Sequence, residues 1–326
     1  MSRWFVRWCC FGVCLLAFPY RSPAPLIFTP GEGWRYERPG QTGSWTRTRA
    51  SDQLEVAQQA FEAEDYDLAM KAAKRTVNQW PYSDYAPQAQ YLVGRCFEAE
   101  GKDQIAFKHY QTLIEKYPRI TNAHEVLERQ YMIASRFLGG QWFKLWGYIP
   151  IPPSMDKTAG MYEQIVKNGP YSEVGPKAQL SIGAAREKQK EYAQAVKAYE
   201  RAADRYADQE NVASDALYKA GLAYTKEART SEYDQTVASR AISTFGDFST
   251  LHPDDARVSE AQKTIESLRT EQARGAFETA KFYEKRKKWK AARIYYNEAL
   301  NKDPGSIYAE QARQRIEELN ERGDEE

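Results

Sequence analysis

The chain has 326 residues, 28% charged and 42% hydrophobic, with lysine and arginine so nearly balanced by acids that the net charge is +1. That balance excludes the strongly basic surface that nucleic-acid binding requires. Alanine, glutamate, lysine, arginine and 22 tyrosines are prominent, while long β-branched runs are missing, so the composition suits helices and gives a sheet little to use.

Residues 1–25 are laid out like a secretory or lipoprotein leader: Arg3 and Arg7, an apolar stretch from Trp8 to Phe18, then Ser22-Pro23-Ala24-Pro25. The apolar stretch is far shorter than the roughly 20 residues a membrane-spanning helix needs. Cys9, Cys10 and Cys14 fall in this segment and only Cys96 lies beyond it, which leaves no disulfide framework for the body and suits an oxidising compartment. Residues 26–50, rich in Gly, Pro, Thr and Arg and without apolar periodicity, predict a flexible tether.

Helical periodicity occupies residues 51–322, with Ser51 as a candidate N-cap and Ala57, Phe61, Tyr66, Ala69, Ala73 and Val77 as the first buried stripe. Trp80-Pro81 closes this unit and Tyr117-Pro118 closes the next, 37 residues later. Two helices and two turns fit that length. Residues 81–118 then recur without a gap at 170–207, with 12 identities in 38 pairs, among them Tyr82/Tyr171, Gly94/Gly183, Glu98/Glu187 and Tyr110/Tyr199. Small residues such as Ala89, Gly94 and Ala106 allow close helix approach, and Tyr110 fills the space between pairs.

The 89-residue offset holds two units of 37 and a surplus of 15, which is GGQWFKLWGYIPIPP at 139–153. The third unit is thus expected to be split by an aromatic insertion spanning 138–154, between a helix from about Thr121 to Phe137 and one beginning near Asp156. A fifth unit runs from about Val212 to Pro253, a connecting helix from 255 to 271, and a final unit carries Ala280, Tyr283, Trp289, Ala292, Tyr296 and Ala299. A capping helix from about Ile307 to Asn320 precedes an acidic tail at 323–326.

A small residue and Gly in the first helix, an aromatic-then-Ala signature in the second (Asp65-Tyr66-Asp67-Leu68-Ala69; Glu191-Tyr192-Ala193-Gln194-Ala195) and the closing Trp-Pro or Tyr-Pro resemble the tetratricopeptide repeat. The implied fold is an all-α solenoid, a right-handed superhelix of five to six helix pairs with an aromatic loop in the third.

No GxSxG, HExxH, P-loop or dinucleotide fingerprint occurs, and His109, His124 and His252 are read as structural rather than metal-binding. No catalytic, cofactor or metal residue is assigned. The candidate site is a binding surface: Tyr85, Gln88, Tyr91, Arg95 and Tyr131 on first helices, positioned to hold an extended peptide by stacking and hydrogen bonding, together with Trp142, Phe143, Trp146 and Tyr148 of the insertion. That insertion is either an exposed contact patch, a loop folded over a neighbouring repeat, or a membrane-interface element. The run Lys285-Arg286-Lys287-Lys288-Trp289-Lys290 is read as a solvated turn in preference to a lipid-binding patch.

The stretches AQYLVGRCFEAEGKDQIAFKHYQTLIEKYP and AKFYEKRKKWKAARIYYNEAL, with the recurring Pro-Tyr-Ser closures, are similar to the BamD family of outer-membrane assembly lipoproteins. The resemblance implies a periplasmic scaffold at the inner face of the outer membrane. Its partners would be the periplasmic domains of the β-barrel insertase, other subunits of that machinery, unfolded outer membrane proteins and the outer membrane surface. Cys14, preceded by Phe11-Gly12-Val13, is the candidate for lipidation. The alternatives are a periplasmic repeat adaptor for cell-envelope or peptidoglycan coordination and, from another class, a helical-repeat RNA binder.

Overall fold

The computed structural model describes residues 26–29, 33–36, 45–145, 148–230 and 235–323. The leader with Cys14, Trp146 of the insertion and the last three residues of the acidic tail lie outside them. Within them the chain is an all-α tetratricopeptide-repeat solenoid of thirteen helices. Six helix pairs follow in order: α1 (Ala50–Glu62) with α2 (Tyr66–Gln79), α3 (Ala86–Ala99) with α4 (Asp103–Lys116), and α5 (Ala123–Leu138) with α6 (Met155–Asn168). Then come α7 (Gly175–Lys188) with α8 (Tyr192–Arg205), α9 (Glu210–Thr230) with α10 (Gln235–Leu251), and α11 (Val258–Lys285) with α12 (Trp289–Lys302), closed by α13 (Ile307–Gly323).

Several of the residues retained between residues 81–118 and 170–207 are those that make one pair pack. A Cβ at Gly94 would lie 2.4 Å from Tyr110 Cε1, and one at Gly183 only 2.3 Å from Tyr199 Cε1. Glycine is present because the ring of the second helix lies flat against the backbone of the first. Tyr110 then donates its hydroxyl to Glu98 at 2.8 Å and Tyr199 to Glu187 at 2.9 Å. The same pair recurs as Tyr296 to Glu284 at 2.5 Å. In all three cases a cation from a later helix meets the same carboxylate: Arg129, Lys226 and Arg315 respectively. Gln90 and Gln179 each donate to a backbone carbonyl of the second helix, of His109 and Ala198, at 3.1 and 3.0 Å. Buried amide groups are thus satisfied in the same way in both copies.

The turns between paired helices also repeat. Glu64, Gly101, Lys190 and Lys287 occupy the same place, two residues before the second helix, with φ of 59, 68, 62 and 56°. Only glycine enters this region without a Cβ penalty. Lys190→Gly is therefore expected to raise stability by roughly 0.5–1 kcal/mol, read as an increased urea midpoint, whereas Gly101→Lys should lower it.

Two expectations are corrected. Ser51 is not the N-cap: Arg49 holds that position, and Ser51 lies inside α1 with its hydroxyl on Asp52 Oδ1 at 2.7 Å. The predicted connecting helix at 255–271 does not end there but continues as the 28-residue α11, because Gly275 is its only glycine and no proline interrupts it. Its first half packs Ala261 and Ile265 against Phe245 and Phe248, and its second half packs Ala276 and Phe277 with Tyr296. Within residues 26–50 two short strands form. β1 (Leu26–Thr29) pairs antiparallel with β2 (Gly33–Tyr36), and the buried Gln53 pins the chain before α1 through Trp45 O at 3.1 Å and Arg47 N at 2.8 Å.

The insertion forms a second antiparallel hairpin, β3 (Phe143–Leu145) with β4 (Ile149–Ile151), pairing Phe143 with Ile151. Phe143 is fully buried and stacks on Phe137 with ring centroids 4.1 Å apart. Among the described residues no helix is long and apolar enough to cross a membrane.

Candidate peptide-binding groove

The first helices of three consecutive units, α1, α3 and α5, bring Phe61, Arg95, Glu98, Arg129 and Arg136 around an open cavity of about 450 Å³ that Gly101 and Asp103 also line. Its polar groups form one network. Arg129 donates Nε to Tyr91 Oη at 2.7 Å and lies 3.3 Å from Glu98; Tyr91 in turn donates to Glu125. Arg136 grips the buried Asp103 with two bonds of 3.0 and 2.7 Å and touches Glu98 at 3.3 Å. Two-point guanidinium–carboxylate pairs fix direction as well as charge. Arg95 differs: its guanidinium lies over the rings of Phe61 and Tyr91, at 5.3 and 5.9 Å, and no carboxylate pairs with it among the described residues.

Electrostatics follow from this geometry. Burial pushes the Tyr91 hydroxyl up and the bond to Glu125 adds to it, so this phenol stays protonated. Burial also acts to raise Glu125, but the hydrogen bond from Tyr91 and the charge of Arg129 outweigh it and leave the carboxylate below its ordinary range. Glu125 is therefore ionised at neutral pH while Tyr91 keeps its proton, and of the three arginines that line the cavity Arg95 is the one stacked on aromatic rings.

Of the predicted residues, Arg95 lines this cavity and Tyr91 lies beside it, under the Arg95 guanidinium and bonded to Arg129. Gln88 sits elsewhere, on a broad groove of about 1210 Å³ between successive units that Tyr82, Pro87, Tyr117 and Ile120 also line. Tyr85, just before α3, is 42% exposed, while Tyr131 is half-buried with its ring 5.7 Å from Tyr162. Trp142 and Tyr148 are exposed on the hairpin. Phe143 is corrected: it cannot meet a partner, because it is the hairpin's buried anchor. Trp146 lies outside the described residues. The sequence reading missed Glu98, Asp103, Glu125, Arg129 and Arg136. Its one available signal was the identity of Glu98 with Glu187 in the internal match.

Two of the histidines differ in their surroundings. His124 has carboxylate neighbours: Glu128, one helical turn on, at 3.4 Å, and Glu173 from the turn before α7 at 3.2 Å. All three side chains are well exposed and form surface ion pairs when the imidazole is protonated. His109 is different. Burial, then the charge of Lys74, holds its pKa down to about 4, and its ring stacks on Phe97 at 5.0 Å. The unfolded chain takes up this proton near pH 6.5, before the folded one does, so the stability contributed by neutral His109 is complete above that pH and diminishes as pH falls toward 4. The urea midpoint is expected to drop between pH 7 and pH 5, and His109→Gln should flatten that dependence.

Comparison with known proteins places these features. Residues 154–323 match the family model described as outer membrane lipoprotein, and residues 88–119 match a tetratricopeptide-repeat model. Similar solved structures include the C-terminal part of a TPR repeat-containing protein from Cytophaga hutchinsonii, with 14% identity over 82% of this chain and 88% of that one at a TM-score of 0.37. Another is a tetratricopeptide repeat protein from Parabacteroides merdae, with 14% identity over 83% and 98% of the two chains at a TM-score of 0.31. A third is MamA from Desulfovibrio magneticus RS-1, with 13% identity over 64% and 98% at a TM-score of 0.33. No curated protein matches the chain.

Proposed function

Because the chain belongs to the outer membrane lipoprotein family, whose model covers residues 154–323, we propose that it is a non-catalytic scaffold of the β-barrel assembly machinery, held on the periplasmic side of the outer membrane. In this role it binds the periplasmic domains of the insertase and extended segments of unfolded outer membrane proteins. The observation that carries the peptide-binding half is the groove lined by Phe61 and Arg95, with the Tyr91 ring beside Arg95. Stacked aromatic rings and a guanidinium with no carboxylate partner among the described residues suit an extended, aromatic-rich chain that offers carbonyl or carboxylate oxygens. The other guanidiniums of the wall, tied to Glu98, Asp103 and Glu125, set the position of Tyr91 and leave the groove preformed, which limits the ordering cost of binding.

The test is affinity purification of the full chain from detergent-solubilised envelope. Co-purification of the β-barrel insertase supports the scaffold reading. Recovery of peptidoglycan-synthesis proteins without the insertase would replace it with the envelope-adaptor reading.

A further inference from the structure

The hairpin of β3 and β4 is displayed, not loose. Phe143 is stacked on Phe137, Ile151 packs against the core, Lys144 Nζ donates to Gly101 O at 3.0 Å, and Gln141 at its base donates to Asp103 at 2.6 Å. What this rigid base holds outward is apolar and aromatic: Trp142 is 54% exposed, Tyr148 74% and Ile149 49%. Three large apolar side chains exposed within eight residues exceed the scattered single residues of an ordinary surface.

The surrounding charge is one-sided. Lys144 bonds only a backbone carbonyl, Lys157 lies 5.4 Å over the Phe143 ring, and the exposed Lys188 bonds the carbonyl of Leu138. No carboxylate partners these three among the described residues. The acids of the neighbourhood are held elsewhere: Glu100 by Lys102 at 3.0 Å, Asp156 by Arg186 at 2.6 Å, and Asp103 by Arg136 at 2.7 Å. Lys102 also lies 5.0 Å from the Tyr148 ring centroid. The patch therefore offers rings and an isoleucine in the middle and uncompensated ammonium groups at the edge.

We propose that this hairpin is a bilayer-contact element whose Trp142 and Tyr148 enter the headgroup layer while Lys144, Lys157 and Lys188 pair with anionic lipid headgroups. Indole and phenol rings prefer that layer because one end is apolar and the other hydrogen-bonds. Lysine stems lie along the apolar region and keep their charge at the phosphates. The inference rests on the family reading, which puts the chain beside a membrane; it adds a second contact, separate from any lipid carried near the N-terminus.

The full chain is incubated with phosphatidylcholine vesicles with and without phosphatidylglycerol, and partitioning is read by co-sedimentation. Binding is expected to be stronger to the anionic vesicles and to weaken with salt. Trp142→Ala/Tyr148→Ala and Lys144→Glu/Lys157→Glu should each lower partitioning by about 10-fold or more, with far-UV circular dichroism unchanged because the altered side chains are exposed. Equal binding of wild type and both variants, or no preference for anionic lipid, overturns the proposal. So does loss of insertase co-purification in the variants with unchanged vesicle partitioning, which would make the hairpin a protein contact. Vesicle results as expected, with no insertase recovered by the wild type, would remove the scaffold reading and leave the bilayer contact standing.

Discussion

Gly183→Val is expected to destabilise the solenoid strongly, costing about 3–5 kcal/mol. A Cβ there already lies 2.3 Å from Tyr199 Cε1 and 2.6 Å from Cζ, and the branch adds two methyl groups in the same direction. The ring has nowhere to retreat: Tyr199 is 2% exposed, and its hydroxyl is held by Glu187, which Lys226 of α9 also engages. Displacing the ring breaks that bond and opens the contact between α7/α8 and α9, leaving a buried carboxylate less well paired. The urea midpoint should fall sharply, and hydrogen exchange should accelerate first in α7 and α8, since contacts in a repeat array are local. Combining the change with Tyr199→Leu, which vacates the volume, should recover part of the loss. An unchanged midpoint for Gly183→Val would show that the two helices are not held by this approach.

Arg95→Glu is expected to weaken binding of an extended, aromatic-rich peptide by roughly 10- to 100-fold, an effect of the size seen for central contact residues. Arg95 lies over Phe61 and Tyr91 without an ion-pair partner among the described residues, so its removal leaves no carboxylate stranded and the fold should persist. The substitution adds a carboxylate near Glu98 and Glu125 and turns the one lining arginine with no carboxylate partner among the described residues into an anion. Fluorescence anisotropy with a labelled peptide from an outer membrane β-strand provides the measurement, and Gln88→Ala, on the separate outer groove, is the control expected to change little. If Gln88→Ala weakens binding and Arg95→Glu does not, the peptide lies between successive units instead.

The repeat architecture was legible because its determinants recur at fixed spacing in one dimension: glycine at 94 and 183, tyrosine at 110 and 199, proline at 87 and 176. The groove was legible only in part. Tyr91 and Arg95 stand out on the exposed side of α3, but the partners that organise them, Arg129 and Arg136, are more than 30 positions away on α5. Spacing within a helix carries no information on which charges meet across helices. The hairpin was hidden for another reason. Its strands have three residues each and Pro150 sits in one of them, so no alternating pattern announces them; the packing of Phe143 on Phe137 holds them in place. The length of α11 escaped because a repeat count predicts a break between units, whereas Thr270-Glu271-Gln272-Ala273-Arg274 contains nothing to cause one.

That uninterrupted helix has a mechanical consequence. A stack of helix pairs joined by short turns flexes like a coil spring, each turn contributing some compliance. Along α11 the joint is replaced by a rod of about 42 Å at 1.5 Å per residue, whose two halves are embedded in different clusters, Ala261 and Ile265 in one and Ala276 and Phe277 in the next. Load applied at the C-terminal end is therefore carried through α11 as a lever arm, and bending is concentrated upstream, at the turns before α9 and α7.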